Sequence, residues 1–434
     1  MKLINLRFRA YRILSLRTAS TCIRHIHSSG VKNSQGEWQL RAYQDECISA
    51  CLTAIDKGIN RIGVSLPTGS GKTTTFVALL HQLPVNEMRP EATKSIIIVN
   101  SVHLANQTVQ QVKKLYPNTT VEVERGEHVA TGKADITVST FQTLRRRLHK
   151  YPPERVKAVI VDEAHHAAAP TYISILSHFD PRISPTGLEI TTHSPPIIGF
   201  SATFTRHDDR PLGKVFQAIV YHRDFLDMIK AEWLCDVRFT TVMAQIDLSS
   251  IETSDTGDFK SAELGRVMNT NKMNAAIAQS WLEKAANRKS TIIFCADLAH
   301  VHGVTNEFRK KGVDAHSVDG KTPEKAREQL LRDFRAGNFP VIVNCGVLLE
   351  GADFPNIDCV MVARPTCSRN LFAQMIGRGM RLSPETGKQN CHIIDFVDSR
   401  RDMEDVFSTS SLFQLHPHDG IEGFVQEFRR RDID

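Results

Sequence analysis

Five charged side chains stand in settings that suit polyphosphate chemistry: Lys72 in "LPTGSGKT" (66–73), Asp162 and Glu163 in "VIVDEAHH" (159–166), and Arg378 and Arg381 in "QMIGRGMRL" (374–382). The first stretch is a glycine-rich turn between an apolar strand pattern and the helix pattern "TTTFVALLHQL". Glycines there let backbone N–H groups approach phosphate oxygens, and the helix N-terminus adds positive potential. The context predicts a nucleotide phosphate loop in the variant that lacks the first glycine. Thr68, Gly69, Ser70 and Gly71 would surround the phosphates, Lys72 would reach the β- and γ-phosphates, and the Thr73 hydroxyl would sit on magnesium. Asp162, at the tip of an apolar strand, can hold the magnesium shell, and Glu163 beside it can take a proton from an attacking water. The expected cofactors are therefore ATP and Mg2+. The two arginines lie about three hundred residues downstream, which calls for a second structural unit to carry them.

The elements that must position these residues are legible as short continuous apolar runs. "RIGVSL" (61–66), "SIIIVN" (95–100), "ADITVS" (134–139), "KAVIVD" (157–162) and "PIIGFS" (196–201) form one group. "STIIFC" (290–295), "FPVIVN" (339–344), "DCVMVA" (358–363) and "CHIIDF" (391–396) form another. Runs that are apolar on both faces suit parallel strands buried under helices on two sides. Strand–helix alternation predicts an α/β fold with two doubly wound parallel sheets. Between the groups, residues 222–275 show no such run, and polar residues dominate "LSSIETSDTGDFKS". "DPRISPTGLEITTHSPP" (180–196) reads as an exposed loop before a strand.

Apolar content of 41% and charged content of 24% are ordinary for a soluble globular chain, and no run of eighteen apolar residues predicts a membrane span. Residues 1–36 hold seven cations and no acid, so of the net charge of +6 the remainder, 37–434, carries −1. Cations interleaved with Leu, Ile, Phe and Tyr give an amphipathic helix pattern in this segment. Its arginine- and serine-rich, acid-free composition predicts a mitochondrial presequence, hence a mitochondrial matrix location, with a basic tail touching nucleic acid as the other reading. The nine cysteines form no C-x-x-C pair, and the adjacent His165 and His166 diverge too much to chelate, so no structural metal is expected. The domain expectation is 1–36 presequence, 37–230 first motor domain, 231–400 second motor domain and 401–434 a short C-terminal extension.

Three further stretches narrow the chemistry. "GFSATFTR" (199–206) puts Ser201, Ala202 and Thr203 after a third strand, "VLLEGADFP" (347–355) supplies Gly351 and Asp353, and Gln374 opens the arginine motif. Taken in order with the phosphate loop and the DEAH residues, these resemble the helicase motifs of superfamily 2, the DEAD/DEAH-type nucleic-acid ATPases, over roughly residues 38–400. The resemblance implies two RecA-like domains with ATP in the cleft between them. It implies Lys72, Asp162, Glu163, Gln374, Arg378 and Arg381 as catalytic residues, with the two arginines acting as fingers on the γ-phosphate. Ser201, Ala202 and Thr203 would couple hydrolysis to movement, and Gly351 and Asp353 would join the ATP site. Gly377 and Gly379 would keep the backbone slim beside the nucleotide.

"WQLRAYQDECI" (38–48) places Arg41 and Gln44 where the superfamily reads adenine. Its "LR-x-YQ" form, "GFSATFTRHDD" with Arg206 and Asp208 or Asp209, and "CHIIDFVDS" resemble the duplex-DNA branch. Within it they resemble the fungal mitochondrial DNA helicases of the increased-recombination-centres family. Members of that family carry a substantial region after the second motor domain; here the chain ends at residue 434, as a short member or a truncated one. The implied partner is nucleic acid, DNA favoured over RNA, contacted through Ser101, His103, Thr140, Phe141, Arg145 and Gly320. The basic run Arg145–Arg147 is a candidate for direct phosphate contact. An RNA-dependent ATPase and an ATP-binding scaffold without turnover are the competing readings.

Overall fold

The apolar runs are strands covered on both faces. The computed structural model describes residues 7–12, 31–32, 38–184, 194–204, 212–254, 257–349, 354–398 and 406–413. The chain divides into two compact units, His27–Asp224 and Phe225–Asp434, the latter together with Met1–Ile26.

Strand β1 (Arg7–Arg12) belongs to the second unit; β2 (Val31–Lys32) and β3 (Trp38–Gln39) make a short antiparallel ladder in the first. The first unit's sheet contains β4 (Arg61–Ser65), β5 (Lys94–Val99), β6 (Val121–Glu124), β7 (Ile136–Thr140), β8 (Val156–Asp162), β9 (Ile197–Ser201) and β10 (Ala218–His222). Its order is β10-β4-β9-β8-β5-β7-β6, and every neighbouring pair is parallel. The helices are α1 (Ala42–Asp56), α2 (Lys72–Gln82), α3 (Val102–Leu115), α4 (Phe141–Arg147) and α5 (Pro170–Phe179). Ser101 caps α3 by accepting a hydrogen bond from the Leu104 N–H at 3.2 Å. Phe76 of α2 meets Phe200 of β9 edge to face, ring centroids 5.5 Å apart, which fixes the phosphate-loop helix on its sheet. Gly199 is obligatory in β9: a Cβ there would lie 2.3 Å from the Phe216 ring and 2.8 Å from the Ala164 Cβ.

The second unit runs α6 (Phe225–Lys230), β11 (Asp236–Ala244), α7 (Ser261–Met268), α8 (Asn271–Lys284), β12 (Thr291–Phe294), α9 (Leu298–Lys310), β13 (Ala315–Val318), α10 (Glu324–Ala336), β14 (Val341–Asn344), β15 (Cys359–Val362), α11 (Arg369–Gly377), β16 (Asn390–Asp398) and α12 (Thr409–Leu412). Its sheet order is β1-β11-β16-β15-β12-β14-β13, parallel throughout except for the antiparallel β1. Fully buried Ile, Val and Phe side chains of such strands each contribute about 1.5–3 kcal/mol. Residues 406–413 return to this sheet. The Thr409 N–H donates to Asp395 Oδ2 at 2.6 Å and the Phe407 N–H to the Thr366 carbonyl at 2.9 Å.

One sequence expectation fails here, and one strand carries no continuous apolar run to announce it. Residues 222–275 show no such run, yet β11 is nine residues long and pairs along its length with β16. Its polar Thr240 is buried because its hydroxyl meets His392 Nε2 at 2.9 Å. The N-terminal segment was expected to follow an amphipathic helix pattern, yet Arg7–Arg12 is a strand. The rest of residues 1–36, apart from Val31–Lys32, lies outside the described residues, as does most of the 180–196 loop. Among the described residues, no helix is long and apolar enough to cross a membrane.

Candidate active site

The phosphate loop leaves the C-terminal end of β4 and enters α2. Gly69 and Gly71 have φ of +90° and +81°, which only glycine adopts without strain. Gly71 is also crowded: a Cβ there would lie 3.1 Å from Gln44 Nε2. Thr68 Oγ1 and Ser70 Oγ are buried with no hydrogen-bond partner among the described residues. Buried hydroxyls are normally satisfied, so two unpartnered ones beside a left-handed glycine turn fit a polyphosphate. The Ser70 carbonyl is held from behind by the Tyr43 hydroxyl. Lys72 is buried, with Nζ 3.4 Å from the Leu66 carbonyl and 3.8 Å from Glu163 Oε1. Both contacts are long for an ammonium, which leaves room for a closer anion.

Gln44 and Arg41 stand beside this loop on α1. Arg41 is the N-cap, and its N–H donates to Gln44 Oε1 at 2.9 Å while the Gln44 N–H donates to the Arg41 carbonyl at 2.8 Å. The Gln44 carbonyl oxygen is thus engaged in a capping box, and its amide nitrogen faces Gly71.

Asp162 ends β8, is buried, and accepts the Glu163 N–H at Oδ1, 3.0 Å. Glu163 sits at φ +50°, a left-handed conformation that is uncommon for a residue with a side chain. That turn sends its carboxylate back toward Lys72. Glu163 Oε2 lies 3.4 Å from His165 Nδ1, and His165 Nδ1 lies 3.4 Å from Ser201 Oγ. Ser201 Oγ in turn accepts the Thr203 N–H at 3.3 Å. Burial lowers the His165 pKa to about 4, so the imidazole is neutral. One contact chain therefore runs from the phosphate loop through the acid pair to the residues after β9. His165 was read from sequence only as a poor metal ligand. Its place one short turn beyond Glu163 was the available signal. Thr73 is half-buried at the first turn of α2, and with Asp162 it forms the residue pair that could hold magnesium. Among the described residues no cluster of three or more His, Cys, Asp or Glu could hold a metal alone.

In the second unit, Gln374 is buried on α11, and Arg378 follows as its C-cap. The Arg378 guanidinium donates to the Leu349 carbonyl at 2.5 Å. Arg381 is half-buried three residues on. Gly351 and Asp353 lie outside the described residues, as do Arg206 and Asp208. The expectation for Gly379 is corrected. A Cβ there would lie 2.3 Å from Cys391 Sγ and 2.7 Å from Val360 Cγ2, so its slimness serves packing against β15 and β16.

Of the nucleic-acid candidates, Ser101 caps α3, His103 is exposed on its first turn, and Thr140 is the N-cap of α4. Phe141 stacks on Tyr172 with ring centroids 5.0 Å apart, and Gly320 is exposed in a turn. The basic run divides. Arg145 is exposed, whereas Arg147 turns inward to the fully buried Glu124, which also takes Lys150 at 3.2 Å and the Tyr151 hydroxyl at 2.9 Å.

Comparison with known proteins agrees with this layout. Residues 37–206 match the family model described as type III restriction enzyme, res subunit, and residues 271–383 match the helicase conserved C-terminal domain. Over 363 residues the chain is 43% identical to IRC3 of Saccharomyces cerevisiae, named as an ATP-dependent helicase, covering 82% of this chain and 51% of that one. Over 390 residues it is 44% identical to irc3 of Schizosaccharomyces pombe, named as a mitochondrial ATP-dependent helicase, covering 90% and 62%. The chain thus spans little more than half the length of these curated relatives. The structure of S. cerevisiae Dbp5 bound to RNA and ADP BeF3 superposes with a TM-score of 0.55 at 17% identity, over 87% of this chain and 86% of that one, a likeness of fold alone.

Proposed function

We propose that the chain is a superfamily 2 helicase, an ATP-driven motor that moves on or unwinds DNA. The observation that carries the reading is the phosphate loop with two unpartnered buried hydroxyls, Thr68 and Ser70, next to a linked Lys72, Glu163 and Asp162. In the proposed reaction Lys72 exchanges its long contact with Glu163 for the phosphates. Thr73 and Asp162 would hold magnesium, which spreads the charge of the phosphate oxygens when bound. Glu163, released from Lys72, accepts the proton of the attacking water. Arg378 and Arg381 supply positive charge to the transition state, an effect worth on the order of a thousandfold or more. Arg41 and Gln44 read the adenine edge. The chain from His165 to Ser201 and Thr203 reports the state of the acid pair to the residues after β9.

DNA is favoured as track by the "LR-x-YQ" form of residues 40–44 and by the restriction-enzyme model matched over 37–206. The near-neutral charge of residues 37–434 suits few, sequence-blind phosphate contacts. A mitochondrial location is supported by the composition of residues 1–36 and by the name of the S. pombe relative.

The test is steady-state ATP hydrolysis by the full chain against titrated duplex DNA, single-stranded DNA and single-stranded RNA, with Lys72→Ala as the blank. Stimulation strongest with duplex DNA supports the reading. Stimulation mainly by RNA transfers the motor to an RNA track, and turnover equal to the blank refutes the enzyme.

A further inference from the structure

We propose that Lys388 is a positioning residue that holds the arginine-bearing loop 378–381 in its working shape, an inference that rests on the reading of Arg378 above. The ammonium of Lys388 has three N–H donors. They meet three backbone carbonyls: Gly379 at 2.7 Å, Arg381 at 2.7 Å and Pro355 at 3.2 Å. The first two oxygens lie just past the C-terminal end of α11, where unsatisfied carbonyls concentrate negative potential and attract a cation. Gly387, at φ +74°, ends the short Pro384–Thr386 turn and brings Lys388 round to them.

The remaining carbonyl of the loop is held from another direction. The Cys235 N–H donates to the Met380 carbonyl at 2.9 Å, and Cys235 Sγ adds a contact of 3.3 Å to the Gly379 carbonyl. The backbone between the two arginines is thus fixed at every carbonyl from 379 to 381, so neither arginine has to order it. Lys388 also ties this loop to a second stretch. In sequence, Leu349 and Pro355 stand on either side of Gly351 and Asp353. The first accepts from Arg378 and the second from Lys388. A group aimed at a transition state acts without reorganisation only when its support is fixed beforehand. A point-like ammonium can serve three carbonyls in different directions, which a planar guanidinium cannot match.

The test compares Lys388→Met, Lys388→Arg, Arg378→Ala and the double variant Lys388→Met/Arg378→Ala in the full chain. The readouts are kcat, KM for ATP and affinity for a fluorescent ADP. Lys388→Met is expected to lower kcat about tenfold or more, with KM and ADP affinity within about threefold of the unmodified chain. Lys388→Arg is expected to fall between the two. The double variant is expected to lose no more than Arg378→Ala alone, because residues acting as one unit are non-additive. Wild-type kcat in Lys388→Met, or losses that multiply in the double variant, overturns the proposal. If Lys388→Met does not fold, Lys388→Gln replaces it with the same expectations. If Arg378→Ala itself turns over normally, the reading of Arg378 fails and the Lys388 proposal with it; if only Lys388→Met turns over normally, the Lys388 proposal alone fails.

Discussion

Lys72 Nζ lies 3.8 Å from Glu163 Oε1, so the first residue of α2 and the left-handed residue after β8 share a buried, stretched ion pair. Replacing the carboxylate by an amide of the same shape keeps the loop but removes the base. Glu163→Gln is expected to bind fluorescent ADP within about threefold of the unmodified chain. Its ATP hydrolysis should fall by about 10²–10⁴, the usual span for a lost general base. Phosphate release and ADP binding measured on one preparation check both halves.

Gly71 and Gly58 share a φ of +81°, but only Gly71 is crowded, by Gln44 Nε2. Alanine at either position should cost about 1–3 kcal/mol for the left-handed backbone. Thermal denaturation is expected to show a similar loss for both. Only Gly71→Ala should also weaken ADP binding, by tenfold or more, since it alone pushes into the loop that faces the phosphates. Equal ADP affinity in the two variants would detach Gly71 from the nucleotide site.

Burial lowers the His165 pKa to about 4, the neighbouring Glu163 only partly opposing it. The unfolded imidazole titrates near 6.5. Between those values the unfolded chain binds one more proton than the folded one, so stability is full above about pH 6.5 and falls as pH drops toward 4. His300, at about 4, and His392, at about 3, are likewise lowered by burial and add slopes of the same sign. His165→Asn is expected to make the decline shallower by about 1.4 kcal/mol per pH unit near pH 5.5. Denaturant unfolding at pH 5 and pH 7 measures it.

Arg145 and Arg147 are neighbours in one basic run with different surroundings. Removing Arg147 takes one partner from the buried Glu124 carboxylate, which keeps Lys150 and the Tyr151 hydroxyl, so the cost should fall below the about 3–5 kcal/mol of a fully broken buried pair. Arg147→Ala is therefore expected to lower the melting temperature clearly. Arg145→Ala should leave it nearly unchanged, weaken nucleic-acid binding, and reduce the salt slope of binding by about one. Filter binding across a salt series separates the two.

The central strands were legible because burial on both faces leaves no room for polar residues, as in "KAVIVD" for β8 and "STIIFC" for β12. The outermost strands were not. β6 reads "VEVE" and β13 reads "AHSV", since a strand at the end of a sheet carries polar residues that an apolar-run search passes over. Strand β11 was hidden by Thr240 and Thr241, whose burial depends on partners far along the chain. The same limit governs the candidate site. The phosphate loop is local and announces itself. Which of Arg145 and Arg147 turns inward depends on Glu124, on another strand. That Gly379 serves the core depends on Cys391 and Val360. His165 could be placed between Glu163 and Ser201 only once β8 and β9 were known to be neighbours.

The proposal to test first is that Arg378 takes part in ATP hydrolysis together with Lys72 and Glu163. The most direct measurement is ATP turnover by Arg378→Ala at saturating duplex DNA, beside Lys72→Ala and the unmodified chain. The account predicts that Arg378→Ala loses about a thousandfold in kcat or more while binding fluorescent ADP within about threefold of normal. Turnover within about threefold of the unmodified chain would contradict it.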